Sequence, residues 1–451
     1  MTGARLSRRA ALGALASPLM GQGVARPNIV VVLVDDLRWD ALGCTGLPWV
    51  KTPHIDRIAR EGMAFRNAFV TTPLCSPSRA SFLTGHYVHR HGVRGNRDNS
   101  ALSHRLKTFP ALLQQAGYDT AYAGKWHMGT DDSPRPGFRR WVSFQGQGQY
   151  NGPTLNIDGK RVETEGYITD VLSDHAAAFV RESRNKPFCL YVAHKAVHGP
   201  FEPAARHKDL YPSEPLPERP NMSYGRAGKQ ALLRPVEDRR KAGSPAARPR
   251  DTIARDQLRC LAAVDDGVGK LFEALEETRQ LDNTVIVFAS DNGYFWGEHG
   301  LGDKRWAYEE SIRIPLLVRY PKLAGRGAKS DALVTNLDLA PTCLHLAGVE
   351  VPKGLHGRSL KEPLRGNRRT WRTSFVIEYF AEPNYPRTPT WQGIRNARHK
   401  FVRYPDLPGA DELYDLRTDP YEMKNLAGEA AGKAVAARLR KELALQLART
   451  A

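Results

Sequence analysis

Oxygen donors sit side by side at two places in this chain, Asp35 with Asp36 and Asp291 with Asn292, and each pair closes an apolar run (NIVVVLVDD and TVIVFASDN). A hard cation such as Ca²⁺ prefers such a set, whereas zinc would call for His or Cys. Four side chains fall short of the roughly 6 to 8 oxygens of a calcium shell, so a nucleophile and a substrate would have to complete it. Two further runs end in groups that carry or move protons: DTAYAGKWH in Lys125 and His127, and FCLYVAHKAVH in His194 and His198. Cys75 opens the polar, turn-forming stretch CSPSRASFLTG. Free cysteine usually behaves as a small buried hydrophobe, so a thiol in that setting is either incidental or chemically used.

Continuous apolar runs suit strands buried on both faces, as in parallel sheets covered by helices. Helical stretches lie between them. TPHIDRIAREG offers Thr52 as N-cap, Pro53 in the first turn, Ile55, Ile58 and Ala59 on one face, and Gly62 as the stop. From Ile253 onward, Leu258, Leu261, Val264, Val268, Leu271 and Leu275 recur at helical spacing and lead into the run at Thr284. Alternating strand and helix predicts an α/β sheet with helices on both faces, whose ligands gather at the carboxyl ends of the strands. All four polar run-ends fall there. Singly, each has a plainer reading, since paired Asp residues cap turns and most histidines are structural; convergence on one sheet edge is what favours chemistry.

The 451 residues suffice for a large core and a second, smaller domain. No run approaches the roughly 18 apolar residues of a membrane span. Residues 1–26 pair Arg8 with Arg9 ahead of a mildly apolar Ala/Leu/Gly stretch, which predicts a twin-arginine export signal, use of that export machinery and a periplasmic or otherwise exported location; a basic tail is the plainer alternative. Five scattered cysteines without a C-x-x-C pair indicate neither a zinc cluster nor a disulfide framework. The net charge of +18 suits a polyanionic partner or merely a basic surface, and no module for nucleic acid accompanies it. The stretch Arg226 to Arg250 has no strand or helix period and reads as a long irregular surface insertion.

Cys75-Ser76-Pro77-Ser78-Arg79 followed by Leu83-Thr84-Gly85 resembles the first motif of the formylglycine-dependent sulfatases, and GYDTAYAGKWH (Gly117 to His127) resembles their second. The likeness runs through SDNGYFWGEHG to ELYDLRTDPYEMKNLA, nearly the whole chain after the signal; His86 departs from the arginine common after L-T-G, which touches local packing or substrate contact. The resemblance implies an alkaline-phosphatase-like α/β sandwich with a large, mostly parallel central sheet (27–355) and a smaller C-terminal subdomain (368–451) with a short antiparallel sheet and helix, the boundary lying in Gly354 to Asn367. It implies Asp35, Asp36, Asp291, Asn292 and modified Cys75 as calcium ligands, and Arg79, Lys125, His127, His198 and Lys304 around the sulfate, with His194 a less certain neighbour. Cys75, oxidised to formylglycine by a maturation enzyme, would supply as its hydrate one hydroxyl to attack sulfur and a second to expel sulfate. His198 or Lys304 would protonate the leaving oxygen and His127 would serve as base.

A sulfated carbohydrate is the expected substrate, and the chain broadly resembles the branch of N-acetylglucosamine-6-sulfatases. Glu378, Tyr379, Trp391, Arg395 and His399 are candidate sugar contacts, with Trp391 equally a core anchor. Two alternatives stay open: a formylglycine-dependent phosphonate monoester or phosphodiester hydrolase, and a glycan-binding homologue without catalysis. The helix face of Val435, Leu439, Leu443 and Leu447 could pack on its own domain or on a second subunit.

Overall fold

The computed structural model describes residues 26–451 except 183, 224–225, 236–247 and 368–369, so the expected export signal lies, but for Arg26, outside the described residues. The large sheet has ten strands: β1 (Asn28–Val34), β2 (Met63–Phe65), β3 (Asp119–Lys125), β4 (Arg140–Phe144), β5 (Thr154–Ile157), β6 (Lys160–Glu163), β7 (Phe188–Ala193), β8 (Thr284–Ser290), β9 (Leu316–Arg319) and β10 (Ala328–Ser330). Their order is β10-β2-β9-β8-β1-β7-β3-β4-β5-β6. The central five, β8, β1, β7, β3 and β4, run parallel, while β9 and the β5–β6 hairpin are antiparallel to their neighbours.

Every residue of β1 is buried, as an apolar run sandwiched between two layers requires. Because side chains alternate across a strand, Val30, Val32 and Val34 join one core and Ile29, Val31 and Leu33 the other. The first core is covered by helices α1 (Pro53–Glu61), α3 (Ile168–Arg181) and α4 (Arg250–Glu277), the second by α2 (Cys75–Thr84) and α5 (Leu339–Leu346). Ile55, Ile58 and Ala59 of α1 are buried as their spacing predicts, and so are the six apolar residues of α4. Burying each such leucine or valine stabilises the fold by roughly 1.5–3 kcal/mol.

A separate antiparallel sheet, β11 (Ser374–Tyr379), β12 (Trp391–Asn396), β13 (His399–Arg403) and β14 (Glu412–Asp415), forms the C-terminal subdomain. Helix α6 (Ala430–Thr450) buries Ala436, Leu439 and Leu443 against Val376, Ile394 and Phe401 of this sheet. Its apolar face is therefore used within its own domain. Leu360 and Leu364 are buried in the core of the large domain, which extends that domain past residue 355. The expected irregular insertion is also corrected at its near end. Gln230–Leu233 form a short helix with Ala231 and Leu232 buried, and Lys229 is fully buried, donating to Tyr414 Oη (2.8 Å) and lying 4.5 Å from the Tyr308 and Tyr414 ring centres. Residues 236–247 of that stretch lie outside the described residues. Among the described residues no helix is long and apolar enough to cross a membrane.

Candidate active site

The parallel register builds the site. Val34 pairs with Ser290, so Asp35 and Asp291 leave adjacent strands at the same level. Ser290 Oγ pins both turns: it accepts from Leu37 N (2.9 Å) and donates its one proton to Asn292 O (2.7 Å), with Val34 O 3.1 Å away. Asp36 takes a left-handed backbone (φ 63°), its amide donating to Asp291 Oδ1 at 3.1 Å. His127, beyond β3, is left-handed too (φ 62°). Such strain in non-glycine residues persists only where surroundings enforce it. Helix α2 brings Cys75 in at its N-terminus and Arg79 one turn later, on the same face.

Oxygens of Asp35, Asp36 and Asp291 and the sulfur of Cys75 lie within 4.8 Å of one another, all buried. Cations surround them. Lys125 Nζ bonds Asp35 Oδ2, and Lys304 Nζ bonds Asp36 Oδ1. Arg79 Nε donates to Asp291 Oδ2 (2.9 Å) with Nη2 3.3 Å from Asp35 Oδ2, and His198 Nε2 stands 3.8 Å from Asp36 Oδ2. Against the pull of burial, Lys125, His198, Arg79 and Lys304 hold Asp35 well below the ordinary carboxylate range. Asp36 is pushed up to about 7 by burial and by Asp35 and Asp291, even with Lys304 opposing. Asn292 donates to Asp36 Oδ1 (2.7 Å), while its buried Oδ1 has no hydrogen-bond partner among the described residues. Crowded carboxylates plus an orphaned amide oxygen form an all-oxygen set that a divalent hard cation would satisfy.

Burial, with Asp35 adding to it, pushes the Cys75 thiol far up. The sulfur lies 3.4 Å from Asp35 Oδ1, a setting that disfavours the thiolate. His198 Nδ1 lies 3.0 Å from the Gly199 carbonyl, which can only accept, so that nitrogen carries the proton. Burial first, then Lys125, hold both His127 and His198 well below the usual histidine range.

Residues 27–349 match the family model for sulfatases, and residues 297–449 match the model for the C-terminal part of N-sulphoglucosamine sulphohydrolase. The chain belongs to the sulfatase family. This sulfatase is 35% identical to an N-acetylglucosamine-6-O-sulfatase of Bacteroides thetaiotaomicron over 90% of its own chain and 83% of the relative. It superposes, with a TM-score of 0.84 and 34% identity, on a solved structure of a protein in complex with its substrate D-glucosamine-2-N,6-O-disulfate, covering 94% of this chain and 98% of the other. A phosphonate monoester hydrolase from Silicibacter pomeroyi follows the same fold at a TM-score of 0.78 and 25% identity, over 94% and 96%.

Three expected substrate contacts stand elsewhere in the sulfatase. His194 follows Ala193 of β7, whose side chain faces the α2 side, so alternation turns His194 to the other layer. There it packs beside Gly267 of α4, and burial lowers it to about 4. Arg395 on β12 is buried against Glu309 (3.2 Å) and the Asn396 carbonyl (2.6 Å), joining the two domains. His399 on β13 sits among Asp415, Arg398, Arg438 and Arg417 on the outer face of the small sheet. The buried Glu378 bonds His89 at both the amide (3.1 Å) and Nδ1 (2.9 Å), and Trp391 stacks on Tyr379 and donates to Arg305 O (2.9 Å), so both are anchors. His86 meets the edge of His356 at 4.8 Å, a packing role.

Other residues of the site were not singled out in the sequence. Asn96 Oδ1 accepts the Ser76 amide (3.0 Å), and Ser76 Oγ donates to His127 O (2.5 Å). Only long-range geometry reveals them, since neither spacing nor residue type marks an Asn twenty positions away. A second buried group, His299, Glu310 and Glu422, has metal-like composition, yet Lys400 Nζ lies 2.5 Å from Glu422 and 3.3 Å from Glu309. An ammonium already pairs with one of its two carboxylates, and burial with the neighbouring Glu298 and Glu422 raises the other, Glu310, to about 8.

Proposed function

We propose that this sulfatase hydrolyses the 6-sulfate of glucosamine-type sugars in sulfated glycans, with Cys75 converted to formylglycine and Ca²⁺ held by Asp35, Asp36, Asp291 and Asn292. The observation that carries the sugar assignment is the joint likeness to an N-acetylglucosamine-6-O-sulfatase and to the complex with D-glucosamine-2-N,6-O-disulfate, each over nine-tenths or more of this chain. Burial of Cys75 beside Asp35 disfavours the thiolate and so supports the modification, since a formylglycine hydrate would supply two hydroxyls, one to displace the sugar alcohol and one to expel sulfate. Bound calcium would polarise sulfate oxygens and favour an ionised hydroxyl.

The chain's own groups do the rest. Arg79 and Lys125, fixed by Asp291 and Asp35, present positive charge where sulfuryl oxygens gain negative charge, without reorganising at the moment of reaction. Lys304, against Asp36, stands ready to pass a proton to the leaving oxygen, while His198, its proton turned to the Gly199 carbonyl, presents a bare Nε2 beside Asp36. His127, oriented through Ser76, takes the proton of the second hydroxyl. The paired arginines before an apolar stretch support export, where sulfated polysaccharides are met and where a matching maturation enzyme must have acted beforehand.

The test is a turnover panel: N-acetylglucosamine 6-sulfate, its 3-sulfated isomer, an aryl sulfate, a phosphonate monoester and a phosphate diester. The 6-sulfated sugar should give the highest kcat/KM. Dominant turnover of the phosphonate or the diester would establish the alternative shared with the S. pomeroyi fold, and tight glycan binding without turnover would establish a non-catalytic homologue.

A further inference from the structure

Glu382, in the loop after β11, belongs to the small subdomain, yet its two carboxylate oxygens reach two different parts of the large domain's site. Oε1 accepts the amide of Asn96 at 3.0 Å. Asn96 in turn accepts the Ser76 amide, one of the donors that the first turn of α2 cannot satisfy internally, directly beside Cys75. Oε2 accepts Arg305 Nε at 2.9 Å and the Tyr379 hydroxyl at 3.0 Å. Arg305 follows Lys304, whose ammonium bonds Asp36.

The Lys304 loop needs such a hold. Asp303 (φ 67°) and Arg305 (φ 83°) flank Lys304 in the left-handed region, where non-glycine residues are strained. Restraints converge on Arg305 from the small subdomain: Glu382 at Nε, Trp391 Nε1 at its carbonyl (2.9 Å), and the Tyr385 ring, 3.4 Å from the guanidinium. Gly95 lies flush with Glu382, where an added Cβ would come 3.4 Å from its Cγ and Oε1. The side chain is 12% exposed at the junction of the two domains.

We infer that Glu382 is a positioning residue for sulfate ester hydrolysis: one carboxylate sets the distance between the Cys75 turn, through Asn96 and Ser76, and the Lys304 ammonium, through Arg305. It touches neither the sulfate nor the metal ligands. The inference rests on the reading of Cys75 and Lys304 as nucleophile-bearing and sulfate-facing groups.

The experiment measures full-length parent, Glu382→Ala, Glu382→Gln, Asn96→Ala and the double variant Glu382→Ala/Asn96→Ala on an aryl sulfate, which has no sugar to touch the loop. Rates are normalised to the fraction of Cys75 converted, read by peptide mass spectrometry, and melting temperatures are taken in parallel. Glu382→Ala should lower kcat by about 10²-fold, the scale of a 1 Å misplacement, with KM close to the parent's and the melting temperature little changed. Glu382→Gln, which keeps an oxygen for one of the two arms, should recover part of the loss. The double variant should be scarcely worse than Glu382→Ala, because both residues lie on one path. An unchanged kcat, a rise in KM alone, or losses that multiply in the double variant would overturn the inference. So would a kcat loss that simply tracks a lowered melting temperature in both Glu382 variants. An inactive, fully converted parent would instead overturn the underlying reading of the site.

Discussion

Arg79 touches two of the three clustered carboxylates, a geometry that a point-charge ammonium cannot copy, and in the proposed mechanism it faces the sulfate. Arg79→Lys should therefore lower kcat by about 10²- to 10³-fold, measured as sulfate release, with little change in fold stability. His399→Ala, on the outer face of the small sheet, should leave kcat/KM at the parent value; a tenfold loss would return His399 to the substrate site. Asp35, Asp36, Lys125, His127, His198, Asp291 and Asn292 were legible because their types are chemically marked and they follow strands ending at one sheet edge, and Cys75, Arg79 and Lys304, on α2 and in a loop, through the motif resemblance; the structure brings the ten together. Those misplaced, His194, Arg395 and His399, failed for one reason. A polar residue on or just past a strand faces one of two layers, and motif spacing alone does not say which. Asn96 and Glu382 carried no chemical mark at all, since their part is to hold amides and a guanidinium rather than substrate.

At the scale of elements, the four continuous apolar runs became β1, β3, β7 and β8, adjacent and parallel, because only a doubly covered sheet buries such runs on both faces. Less legible was the seam between domains, where charged side chains replace apolar ones. Glu309 is held at about 2: burial opposes ionisation, but Arg395 of β12 and Lys400 of β13 outweigh it. A carboxyl depressed in the folded state adds stability above its unfolded value near 4.5 and loses it as pH falls toward 2. Urea midpoints of the parent should therefore fall over that window relative to Glu309→Gln, and at neutral pH the variant should be weaker by roughly 3 kcal/mol, since it leaves the buried Arg395 without its carboxylate while Lys400 keeps Glu422. Glu422, raised to about 6 chiefly by burial, acts in the opposite sense, so the difference between parent and variant is the quantity to follow. A constant difference from pH 6 to pH 2 would show that the Glu309 ion pairs do not hold the seam.

For the whole molecule, the proposed metal site joins turns from distant parts of the chain, so an ion bound there would stabilise the assembled sheet edge. Stripping divalent ions with a chelator should abolish sulfate release and lower the melting temperature, and Ca²⁺ should restore both; at a hundredfold excess over its dissociation constant, a ligand of the folded state adds about 2.7 kcal/mol. Activity undiminished after exhaustive chelation would remove the cation from the site. The central claim is that the buried thiol of Cys75 is a precursor and its oxidised form the working group. It is tested most directly by quantifying, in preparations of graded maturation, the fraction of formylglycine in the tryptic peptide Asn67–Arg79 against the rate of sulfate release. The account predicts a straight line through the origin; full activity in protein whose Cys75 is still a thiol would contradict it.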